Sequence, residues 1–152
     1  MIREVNCNCN GKNIYGLLYS PDEIEYKLPA VILCHGLYAN HSWLTYYAEE
    51  LVKENIISYV FDFCGCMESK SDGDFISSSV LTEKENLSSV IDMVSHLDIV
   101  DKRQIYLLGH SQGGLVAAMS SIDDNISGLF LLSPAFNVPH EMGMTIPPEE
   151  GS

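Results

Sequence analysis

Four short apolar runs punctuate this chain: Ala30 to Cys34, Ile56 to Phe61, Gln104 to Leu108 and Ile126 to Leu132. None alternates with polar residues. That is the pattern of strands buried on both faces of a parallel sheet. Between the runs the apolar spacing changes to that of a helix. Leu44, Tyr47, Ala48 and Leu51 fall at i, i+3, i+4 and i+7, predicting a helix that begins near Ser42 or Trp43. Residues 62–79 are polar and read as a long loop. Thr82-x-x-Glu85 then predicts a capping box, and Leu87, Val90, Ile91, Val94 and Leu97 trace the stripe of a second helix. Leu115 to Ser121, apolar on most sides, predicts a third. Ahead of the first run, Ile2 to Cys9 and Asn13 to Ser20 flank Asn10-Gly11-Lys12, a strong short-range hairpin signal. Pro21-Asp22-Glu23 closes that segment as a loop. Six strands alternating with helices predict an α/β fold with a mostly parallel sheet, entered by an N-terminal antiparallel hairpin and truncated after the sixth strand. No internal repeat or low-complexity linker breaks the pattern. From Asn137 the chain carries three prolines and no periodicity, so 1–136 reads as the domain and 137–152 as a loop or disordered tail.

Composition changes this picture mainly by exclusion. The 152 residues are 46% hydrophobic and 19% charged, as a globular chain should be. Eight Lys and Arg against 21 Asp and Glu leave a net charge of −13. Such a charge repels phosphate backbones and anionic lipid, which argues against nucleic acid and membrane surfaces as partners. From Gln104 onward there is no Lys or Arg at all. No apolar run approaches the roughly 18 residues of a membrane span. The segment MIREVNCNCNGKN has no apolar core of a secretory signal, so a cytoplasmic location with reduced thiols is the expectation. The five cysteines include two C-x-C pairs, Cys7/Cys9 and Cys64/Cys66. Their spacing differs from the common C-x₂-C zinc knuckle, and they read as small apolar residues rather than metal ligands.

The sharpest chemical signal is Gly109-His110-Ser111-Gln112-Gly113-Gly114. A G-x-S-x-G arises by chance in about one chain in twenty of this length. Here it lies directly between an apolar run and a helix, the strand–turn–helix setting that a nucleophile elbow requires. A serine on so sharp a turn is strained, and side chains two residues to either side of it would collide, which accounts for Gly109 and Gly113. Ser111 is therefore the candidate nucleophile. The backbone N–H of Gln112, at the helix start, is a candidate oxyanion donor. His35-Gly36-Leu37 follows the first apolar run; Gly36 allows a close backbone approach, and Leu37 N–H is the second candidate donor. His35 and His110 are expected to line the site through hydrogen bonds, while His41 and His96 are expected to be solvated.

Four blocks carry a family resemblance: Ala30 to Gly36, Val60 to Gly65, Ser69 to Asp74, and Leu107 to Gly114. Together they resemble the N-terminal part of an α/β-hydrolase, and within that superfamily the small esterases of the cinnamoyl and feruloyl esterase type and the serine-aminopeptidase-like group. The second and third blocks are similar to the family loop F-D-x-x-G-x-G-x-S-D-G. Cys64-Gly65-Cys66-Met67 replaces its middle, so the second glycine is displaced. The resemblance implies hydrolysis of a small-molecule carboxylic ester through an acyl-enzyme on Ser111, with no metal or organic cofactor, and a tail that begins a cap. It also implies an Asp or Glu and then a His after the serine. Only His140 follows Ser111, in the tail, and it is not expected to be the base; Asp123 and Asp124 read as a charged turn. Three readings stay open: an ester hydrolase, an amidase, thioesterase or peptidase with the same motifs, and a non-catalytic product or binding module. An unpaired sixth strand would be an edge open to self-association.

Overall fold

The computed structural model describes residues 1–123 and 125–133. Eight strands and three helices follow in the order β1 (Ile2–Glu4), β2 (Cys7–Cys9), β3 (Lys12–Ile14), β4 (Gly16–Tyr19), β5 (Leu28–Cys34), α1 (Thr45–Lys53), β6 (Ile57–Phe61), α2 (Val80–Ser95), β7 (Val100–His110), α3 (Gln112–Asp123) and β8 (Gly128–Leu132). Six strands form the main sheet in the order β1-β4-β6-β5-β7-β8, and β2 and β3 form a two-stranded ribbon. The strands β6, β5, β7 and β8 run parallel, while β1 and β4 enter antiparallel. The sheet is thus mostly parallel with an N-terminal antiparallel hairpin. Among the described residues β8 pairs with β7 alone.

The uninterrupted apolar runs are explained by cover on both faces. Along β5, Ala30, Ile32 and Cys34 join the larger core with Leu87, Val90 and Val94 of α2 and Val116 and Ala117 of α3. Val31 and Leu33 point the other way and pack with Leu44 and Ala48 beside α1. Successive side chains alternate between faces, and both faces are apolar, so no polar alternation can show in the sequence. The cover is thinner on the α1 side, where Phe130 of β8 is 52% exposed.

The predicted hairpin forms, but it is split. Asn10 at φ +51° and Gly11 at φ +85° make the tight turn of the β2–β3 ribbon. Nearer the ends, β1 pairs with β4 in the main sheet. The ribbon bends away because the long loop captures it: Asn13 N–H donates to Asp72 Oδ2 at 2.8 Å, Asp72 N–H donates to Asn13 O at 2.9 Å, and Tyr15 N–H donates to Ser71 Oγ at 2.8 Å. At the bend, Tyr59 Oη donates to Val5 O at 2.6 Å. A Cβ on Gly16 would lie 2.0 Å from that hydroxyl oxygen, so only glycine fits there.

All three helix starts differ from the sequence reading, and α1 begins at Thr45, behind a 3-10 turn at His41–Trp43, rather than near Ser42 or Trp43. Ser79, not Thr82, is the N-cap of α2: its hydroxyl accepts Thr82 N–H at 3.1 Å, and Thr82 Oγ1 accepts Ser79 N–H at 2.8 Å. The capping box is shifted by one turn, leaving Glu85 free to accept from Asn10 Nδ2 at 3.2 Å. Helix α3 begins at Gln112 rather than Leu115, because Gly113 and Gly114 are helical in spite of their low propensity. The expectations for 137–152, with His140 and Asp124, lie outside the described residues.

Candidate active site

The topology chooses the place. From β5 the chain crosses through α1 to β6 on one side, then returns through α2 to β7 on the other. The strand order therefore reverses between β5 and β7, and in open parallel sheets ligands bind in the crevice at the carboxyl ends on either side of such a reversal. Cys34 is in register with Gly109 across these two strands. Continuing one step along each strand brings His35 beside His110, and a second brings Gly36 beside Ser111.

Ser111 sits at φ +55°, the left-handed region, between β7 and α3. A serine held there is strained, and the turn around it leaves no room for side chains. A Cβ on Gly113 would lie 2.3 Å from Cys34 O and 2.4 Å from His35 O; one on Gly109 would lie 2.5 Å from Gly113 O. Both glycines are obligatory for α3 to pack so closely against β5 and β7. Gly36 is equally constrained, since a Cβ there would stand 2.9 Å from Ser111 Cβ and 3.4 Å from Ser111 Oγ. The elbow is anchored by Ser111 N–H to Leu132 O at 3.0 Å and Gly114 N–H to Ser111 O at 3.0 Å.

Leu37 follows Gly36 in a turn closed by Ala39 N–H to Gly36 O at 3.3 Å. Leu37, Ser111, Gln112 and His110 are all half-buried, as groups at the mouth of a crevice would be. Gln112 opens α3, so its N–H belongs to the first turn that a helix leaves without intrahelical acceptors. These are the two backbone donors that the sequence singled out, on the two loops that flank the serine.

The histidines divide. His35 is 1% exposed, with Nδ1 donating to Gly36 O at 2.8 Å and Nε2 accepting from Phe63 N–H at 3.1 Å. Burial holds its pKa below the ordinary imidazole value, with the Gly36 hydrogen bond pulling the other way. It is a neutral post that ties the Gly36 loop to the loop after β6. His41 is not solvated as expected: its Nδ1 lies 2.8 Å from Oδ1 of Asp62, which is fully buried, and its ring lies 5.3 Å from Tyr15. The sequence offered no sign that His41 would meet Asp62, because the two stand on different loops. Asp62 also accepts His41 N–H at 2.8 Å and Lys70 N–H at 2.9 Å, so it cross-braces both loops. His96 is exposed at the end of α2. Among the described residues, the hydrogen bonds of Ser111 are made by its backbone, and no histidine follows it.

His35, Asp62 and Cys66 bring one ligand-type atom each within 4.8 Å of one another. Those atoms do not fit a metal. The Nε2 lone pair of His35 is taken by Phe63 N–H, and both Asp62 oxygens accept backbone donors. Burial pushes the Cys66 thiol up to about 12, so it stays protonated near neutrality. Cys7 is likewise pushed up to about 11, and burial also raises Cys34 and Cys64. All five cysteines are free.

One residue near the site escaped sequence reasoning. Glu83 of α2 is 4% exposed and accepts a hydrogen bond from Gln112 Nε2 at 2.8 Å. Burial pushes its carboxyl up to about 7, against the opposing effect of that hydrogen bond. A signal existed: Glu83 lies four residues before Leu87, on the apolar stripe of its own helix. Asn86, also buried on that face, accepts Cys64 N–H at 2.8 Å and so ties the long loop to α2.

A family model described as "Serine aminopeptidase, S33" matches residues 27–150. Among solved structures, the ferulic acid complex of Est1E from Butyrivibrio proteoclasticus superposes with a TM-score of 0.83 at 28% identity, over 96% of this chain and 61% of that one. The complex of DcsB with its substrate analogue gives 0.79 at 27% identity, over 88% and 45%. An esterase from Exiguobacterium antarcticum shares the fold, with a TM-score of 0.73 at 23% identity, over 90% of this chain and 47% of that one. The chain thus spans about half of the length of these structures. No curated protein sequence matches it. No helix among the described residues is long and apolar enough to cross a membrane.

Proposed function

The chain belongs to the S33 serine-aminopeptidase-like family of α/β-hydrolases, and on that premise we propose that it carries the nucleophile half of a serine ester hydrolase. Ser111 is the nucleophile, and the N–H groups of Leu37 and Gln112 form the oxyanion hole. The substrate is a small carboxylic ester, a class supported by the likeness to Est1E in its ferulic acid complex. Ser111 Oγ attacks the ester carbon while a general base takes its proton. The carbonyl oxygen becomes an oxyanion facing the two backbone donors, where preorganised dipoles stabilise developing charge. Collapse expels the alcohol, which takes a proton back from the base, and leaves an acyl group on Ser111. Water repeats the sequence and releases the acid.

The observation that carries this reading is the strained Ser111, at φ +55° with Gly36 pressed against it. Positive φ costs about 1 to 3 kcal/mol at a non-glycine residue and is found elsewhere in this chain, at Glu68 and Ser133 among others; what sets Ser111 apart is that the strain coincides with the close approach of Gly36 at a strand-to-helix turn. His35 cannot serve as the base while both ring nitrogens are bonded, and His41 is engaged by Asp62. We place the base and its acid partner outside the described residues. The 152-residue chain should show little turnover of a short-chain aryl ester and slow labelling of Ser111 by a fluorophosphonate. Serine hydrolases stripped of triad members keep only about 10³ to 10⁴ over water. Appending the family's C-terminal half, with its Asp and His, should restore both, and Ser111→Ala in that chimera should abolish them. A chimera that folds but neither hydrolyses nor labels would favour the non-catalytic reading.

A further inference from the structure

The apolar face of α2 is interrupted by one acid. Glu83 shares its stripe with Leu87, Val90 and Val94 and is buried with them. A carboxyl group is costly in such a place unless something holds it there. Among the described residues its side chain accepts one hydrogen bond, from Gln112 Nε2 at 2.8 Å, across the gap between the first turns of α2 and α3. Gln112 directly follows the candidate nucleophile. The carboxyl group acts electrostatically on two thiols, Cys34 of β5 and Cys66 of the loop after β6, and burial keeps both protonated. Neither supplies a compensating positive charge.

We infer that Glu83 is a positioning residue for the oxyanion site: its carboxyl group pins the Gln112 side chain, fixing Gln112 N–H toward the oxyanion, and its ionisation opposes the negative charge formed there. This rests on the roles given to Ser111 and Gln112 under Proposed function. The hydrogen bond itself survives in both protonation states, because a neutral carboxyl still accepts through its carbonyl oxygen. The charge does not. Burial places the titration at about 7, so below that pH the carboxyl is a neutral acceptor and above it a buried like charge beside the oxyanion. The effect therefore has two separable parts, a tie and a charge.

Phenylboronic acid reads both without needing a general base. The boron accepts an electron pair from Ser111 Oγ, a B–O bond forms, the hydroxyl proton leaves to solvent, and the tetrahedral boronate carries its negative charge where an ester oxyanion would. Titrations of the 152-residue chain at pH 6 and pH 8, followed by ¹¹B NMR and by the Gln112 amide shift, give the dissociation constants. Glu83→Ala should weaken the adduct about tenfold at pH 6, the scale of losing one hydrogen bond to a carboxyl group, and bind about as the parent does at pH 8, where loss of the tie and loss of the charge offset each other. Glu83→Gln keeps the acceptor and removes the charge. It should match the parent at pH 6 and bind about tenfold more tightly than the parent at pH 8. A purely structural role would leave the ratio of parent to Glu83→Gln unchanged with pH, and that constant ratio overturns the inference even if Glu83→Ala fails to fold. Ser111→Ala separates the two readings. If it abolishes the adduct while the Glu83 variants behave as the parent, only the positioning role is lost. If it binds boronate as the parent does, or the parent binds none, the oxyanion site and the inference fall together.

Discussion

Replacing Glu83 with Gln should change how the stability of this fold responds to pH, and the size of the change follows from its burial. In the unfolded chain the carboxyl titrates near its ordinary value of 4.5; in the folded chain burial moves it up to about 7. Between those values the folded state holds a proton that the unfolded state has released. Raising the pH therefore drains stability from the fold, starting near 4.5 and ending just above 7, the reverse of an acid paired with a cation. Each unit of separation is worth 1.36 kcal/mol, so the whole window amounts to about 3 kcal/mol. Glu83 is 4% exposed, so solvent screening takes little from that figure. Most of it falls between pH 5 and pH 8, where the loss is about 2.5 kcal/mol. Gln is nearly isosteric, keeps an oxygen for Gln112 Nε2, and does not titrate. Urea unfolding of both proteins by circular dichroism at pH 5, 6, 7 and 8 compares them, with every other titrating group common to the two. The variant should gain on the parent steadily with pH, by about 2 to 3 kcal/mol over the range. Parallel curves, with a difference constant to about 0.5 kcal/mol, would show that the carboxyl is solvated or paired in solution and refute the argument.

Three further outcomes are expected. Gly113→Ala drives a methyl group into the carbonyls of Cys34 and His35, backbone atoms that cannot rotate away, so thermal unfolding should show a loss of about 3 kcal/mol or more. Asp62→Ala strands His41 N–H and Lys70 N–H and uncouples the loops at 35–44 and 62–79; it should cost about 3 kcal/mol and expose residues 64–78 to limited proteolysis, and unchanged cleavage would show that Asp62 braces neither loop. Ser79→Ala should cost about 1 kcal/mol by removing the cap of α2, whereas alanine at Thr82 should leave the Ser79 hydroxyl's bond to the Thr82 backbone N–H intact and cost less.

Much of the candidate site was legible because its requirements are local. The close-packed turn at Ser111 needs glycines two residues to either side, a strand before it and a helix after it, all within one short segment. The same holds for Asn10-Gly11, whose turn depends on two consecutive residues at positive φ. What was missed had partners far along the chain. His41 read as solvated because nothing near it in sequence is its partner; Asp62, 21 residues away, is. Thr82-x-x-Glu85 read as a capping box because the pattern fits, but the loop delivers Ser79 to the cap position and Glu85 turns outward to Asn10.

The sequence by itself determined the α/β alternation, the parallel core and the nucleophile turn, since these follow from apolar periodicity and from steric rules between near neighbours. Only the tertiary structure decided the strand order, and with it the reversal between β5 and β7 that brings Gly36 against Ser111. It alone bent the hairpin tip onto the long loop and gave Asp62 its bracing role. It also decided the fate of Glu83. As a residue in a helical stripe it is one more acid in a chain of charge −13. Burial against Gln112 changes its protonation, because desolvation depends on what surrounds a carboxyl group in space and not on what precedes or follows it in the chain.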